Sequence, residues 1–94
     1  MSQAYDYDIE DCVLGAIMRN VDEYDNVAKY FVNVEVFGRV QSQLLWNKLT
    51  EMKRGGHHID MHTVATSLSK DDVKKGCDKH YIAACYSDAP AHGA

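Results

Sequence analysis

Apolar residues at Ile9, Cys12, Val13, Ala16 and Ile17 recur at the i, i+3, i+4, i+7, i+8 spacing of one helix face, and the acids Asp8, Glu10 and Asp11 cluster where that run begins. The pattern predicts an opening helix with an acid just ahead of it as cap. The remaining acids lie near the positive end of its dipole. A helix of this length is marginal alone in water, so its apolar stripe requires a partner later in the chain.

Asn20 or Asp22 can cap a second helix that carries Val21, Tyr24, Val27, Ala28 and Phe31 on one side. Val32, Val34 and Val36 then alternate with Asn33 and Glu35 at strand period. No second strand exists to pair with them, so the stretch reads as an extended connection or a frayed helix end. Gly38 opens the longest helical segment, running to Lys53, with Val40, Leu44, Leu45, Leu49 and Met52 in its stripe, Phe37 just before it and Trp46 beside the stripe. Its last turn is basic, Lys53-Arg54, and Gly55-Gly56 follows as helix termini favour. This is the expected central helix, packed against the opening one.

His57-His58-Ile59 leads to Asp60, the expected N-cap of a short helix with Met61, Val64, Ala65 and Leu68 on one stripe. Ser69-Lys70-Asp71-Asp72 reads as one helix ending and another starting, and residues 71–79 are charged, weakly patterned and interrupted by Gly76. A last helix over roughly 78–87 turns Tyr81, Ile82, Cys85 and Tyr86 inward. The sum is an all-α fold, a compact bundle of about five or six helices. Residues 8–88 form the single domain, 1–7 a flexible lead-in, and 89–94 a tail or the start of a linker.

A chain of 94 residues is one domain, and 46% hydrophobic with 26% charged residues is ordinary for a water-soluble globule. No apolar run reaches membrane-spanning length, and the acidic start has neither the charge nor the apolar core of a signal peptide, so a cytoplasmic protein without membrane contact is expected. Three cysteines, Cys12, Cys77 and Cys85, fit reduced thiols. The net charge of −4 is uneven: residues 1–35 hold eight acids against Arg19 and Lys29, whereas residues 36–94 hold six acids against eight bases. A duplex-binding module needs a basic surplus to neutralise phosphates, so DNA is expected to be met only indirectly, and Lys70, Lys74, Lys75 and Lys79 read as a solvated face.

Candidate chemistry changes this picture little. His58 and His62 are four apart, Cys77 and His80 three apart, and Cys85 follows, so a zinc set can be drawn. His58 precedes the Asp60 cap while His62 lies inside the helix, Cys85 sits at core spacing from Ile82, and no Cys-x-x-Cys pair is present. These make a metal site the minor reading. Cys77, Cys85 and His80 lack the orienting group of a thiol–imidazole pair, and Asp8, Glu10 and Asp11 are better explained by capping than by acid–base work. Of the aromatics, only Tyr5 and Tyr7 on the lead-in are expected to be exposed, where they can dock on a partner. No catalytic, cofactor or metal residue is assigned.

Four pieces in order carry a family resemblance. Asp8 and Glu10 bracket a residue ahead of Val13-Leu14-Gly15-Ala16-Ile17; Phe37 enters the central helix with its Leu44-Leu45-Trp46 turn; Gly55-Gly56-His57-His58-Ile59-Asp60 runs into Thr63-Val64; and Tyr81-Ile82 leads to Asp88-Ala89-Pro90. Over about residues 8–91 the chain thus resembles the N-terminal domain of DnaB-family replicative DNA helicases. Ser42 stands where the family often has histidine, Gly38 where it has an aromatic, and Ile9 where it has a small residue, which suits a divergent member such as a phage-encoded one.

The resemblance implies a non-catalytic collar domain that self-associates, as a dimer or as part of a hexamer, and binds primase or a helicase loader. The family's motor uses a P-loop, and no Gly-x-x-x-x-Gly-Lys-Ser/Thr pattern occurs here. Ala94 comes before the helical hairpin that follows this head in the family, so either an excised head or a stand-alone relative is expected. The stand-alone alternative is a phage protein that imitates the collar and binds or inhibits a host helicase, primase or loader; a small zinc- or nucleic-acid-binding module is the minor alternative. Gly15 is expected to be a close-packing position.

Overall fold

In a computed structural model, residues 7–30 and 37–88 are described, with the side chains of residues 10–29 and 37–87. Six helices account for most of them: α1 (Tyr7–Arg19), α2 (Glu23–Tyr30), α3 (Val40–Arg54), α4 (Met61–Thr66), α5 (Lys70–Lys74) and α6 (Lys79–Asp88). No strand occurs among the described residues, and the fold is all-helical as expected. The lead-in with Tyr5, the valine-rich connection with Phe31, and Pro90 in the tail lie outside the described residues, as do the side chains of Tyr7, Asp8 and Tyr30.

Helix α1 buries a different face from the one its apolar spacing suggests. Leu14 and Ile17 are fully buried and Met18 nearly so, while Cys12, Val13 and Ala16 are only half-buried. Its principal partner is α6, not α3, which it touches less extensively. The rotation follows from polar partners: Glu10 and Asp11, which helical periodicity assigns to solvent, are turned inward and paired. Asp8 lies within the helix rather than ahead of it as a cap.

Helix α3 supplies Leu45, Trp46, Leu49 and Met52 to the core, together with the buried Ser42. Burial of each large apolar side chain contributes roughly 1.5–3 kcal/mol. Trp46 stands on the buried face instead of beside it, stacked on Tyr24 of α2 at 5.0 Å, and the Tyr24 hydroxyl donates to Thr50 Oγ1 at 2.9 Å. Val40, counted in the stripe by spacing, is 52% exposed, because it belongs to the first turn at the end of the packed face. Phe37 tilts against Trp46 from the loop before α3 and is 1% exposed.

The connections are closed by local chemistry. At the end of α3 the amide of His57 donates to the Met52 carbonyl and that of Gly56 to the Lys53 carbonyl, and Gly56 adopts φ +71°. This is a Schellman ending, for which a residue without a Cβ is best suited. Asp60 then caps α4: its carboxylate accepts from Thr63 N at 2.8 Å, and Thr63 Oγ1 accepts from Asp60 N at 2.9 Å. Ser69 and Asp72 make the same reciprocal pair at α5, which buries none of its residues. Asp78 opens α6 by accepting from Tyr81 N at 2.9 Å.

Candidate functional site

Glu10 and Asp11 of α1 and Tyr81 of α6 meet in one buried polar cluster around the start of α3. Glu10 accepts from the Gly38 amide with both carboxylate oxygens, at 3.1 and 3.2 Å, which pins the loop ahead of α3. Next to it, Asp11 forms an ion pair with Arg39 and accepts from the Tyr81 hydroxyl at 3.0 Å. Since the single phenolic proton goes to that carboxylate, Ser42 Oγ donates to the Tyr81 oxygen at 2.8 Å. Gln43 Nε2 donates to the Phe37 carbonyl at 2.9 Å and fastens the same loop from the other side. Arg39 also lies 5.6 Å from the Tyr81 ring centroid.

The chemistry of this cluster is that of a lock. Burial pushes the Tyr81 hydroxyl well above the usual tyrosine range, with the Ser42 hydrogen bond pulling in the opposite sense, so it stays protonated and donating. Burial likewise pushes the Cys85 thiol up to about 12, partly offset by its hydrogen bond with Tyr81. Cys77 is pushed up to about 11, by burial first and then by the charges of Asp72 and Asp78. Neither thiol is a nucleophile near neutral pH.

The zinc candidates are separated by the fold. His58, His62 and His80 are exposed, while Cys77 is fully buried in the core. His58 is engaged with Asp60 at 2.8 Å, and Asp60 is held below the usual carboxylate range by the Thr63 amide and by His58. Among the described residues no group of three or more His, Cys, Asp or Glu side chains converges as metal ligands would. No described helix is long and apolar enough to cross a membrane.

The remaining residues of the resemblance sit in structural positions. Leu14, Gly15, Leu45, Trp46 and Ile59 are buried, Val13 is half-buried, and Asp60 and Thr63 form the α4 cap. Periodicity missed Arg39, Ser42 and the role of Tyr81. The available signal was the pair of adjacent acids inside an apolar helix, which need partners if both are to be buried.

Among the described residues, two surface depressions are open to a ligand or partner. One, of about 410 Å³, lies between the end of α3 and α4 and includes Lys48, Glu51, His57 and His58. The other, of about 230 Å³, runs between α4 and α6. A family model described as the DnaB-like helicase N terminal domain matches residues 2–93. No curated protein and no solved structure matches the chain.

Proposed function

The chain belongs to the DnaB-like helicase N-terminal domain family, and from that membership we propose that it serves as the non-catalytic collar of a replicative DNA helicase, self-associating and binding replication proteins such as primase or a loader. The observation that carries this reading is the extent of the match, residues 2–93 of a 94-residue chain. The internal chemistry supports it: Asp11, Arg39, Ser42 and Tyr81 are engaged with one another inside the fold, which suits a rigid head that presents surfaces.

Sedimentation equilibrium of the purified protein, with co-sedimentation against a purified primase–helicase pair, tests the reading. Concentration-dependent mass above the monomer, together with retention by the replication proteins, is expected. A strict monomer at millimolar concentration that is retained by neither partner would sink it.

A further inference from the structure

We draw no further inference here: the strongest candidate, the depression between the end of α3 and α4, has its Lys48 and His58 already paired with Glu51 and Asp60, and nothing in the structure shows what would cover it.

Discussion

At the residue scale, Asp11 is the most consequential side chain. Its carboxylate, 12% exposed, answers both the Arg39 cation and the Tyr81 hydroxyl. Asp11→Ala removes one acceptor from both the partly buried Arg39 guanidinium and the Tyr81 hydroxyl, so a loss of about 3 kcal/mol in urea denaturation is expected. Tyr81→Phe removes a smaller quantity, about 1–2 kcal/mol, since the ion pair survives while Ser42 and Asp11 each lose one hydrogen bond. The thiols give a pH signature. Cys77 and Cys85 ionise at about 11 and about 12 when folded, above their value in an unfolded chain. An unfolded chain therefore releases these protons first as pH rises, and the stability the thiols contribute is complete below pH 9 and declines from there upward. Iodoacetamide at pH 8 should leave both unmodified in the native protein and label both in urea, as read by mass spectrometry.

At the element scale, the turn between α3 and α4 separates two glycines by their physical need. Gly56 is held at φ +71° with open space where a Cβ would be, so Gly56→Ala should cost about 1 kcal/mol from backbone strain alone. Gly55 has φ −80°, which any residue adopts, and a Cβ there would crowd the exposed, movable His57 ring at 2.7 Å and touch the Glu51 carbonyl oxygen at an ordinary 3.4 Å. Gly55→Ala is therefore expected to be much the milder change in the same denaturation experiment.

Such local signals were legible in the sequence: the basic turn before Gly55-Gly56 and the Asp60 cap both stand where the pattern placed them. The orientation of α1 was not legible, because its determinants lie far along the chain. Glu10 and Asp11 are buried only because Gly38, Arg39 and Tyr81 meet them, across separations of 28 and 70 residues. A periodicity that counts apolar residues sends those acids outward and turns the whole face with them. Trp46 was misplaced for a related reason, as its burial depends on the ring of Tyr24 from another helix.

At the scale of the molecule, the helices differ in how much they depend on one another. Helices α1, α3 and α6 share the core, whereas α5 is capped at its start by Ser69 and buries nothing. Native-state hydrogen exchange should accordingly show α5 amides opening with little protection and the amides of α1, α3 and α6 exchanging last. Protection of α5 equal to that of α6 would contradict this hierarchy. The α4–α6 depression was only partly visible in advance, since Lys79 was counted among solvated lysines and its place beside Met61 and Ala83 depends on α4 packing against α6.

Arg19 closes the far end of the α1–α6 pair, where its Nε donates to the Tyr86 carbonyl at 3.0 Å and its guanidinium lies 4.2 Å from the Tyr86 ring centroid. Asp11 meets Tyr81 and Arg19 meets Tyr86, so the two helices run side by side in the same sense. A pull between the start of α1 and the end of α6 then loads the pair in shear, with both contacts resisting at once. A tug that peeled the helices apart would break them one after the other. The α1–α6 pair is thereby held more firmly along its axis than across it.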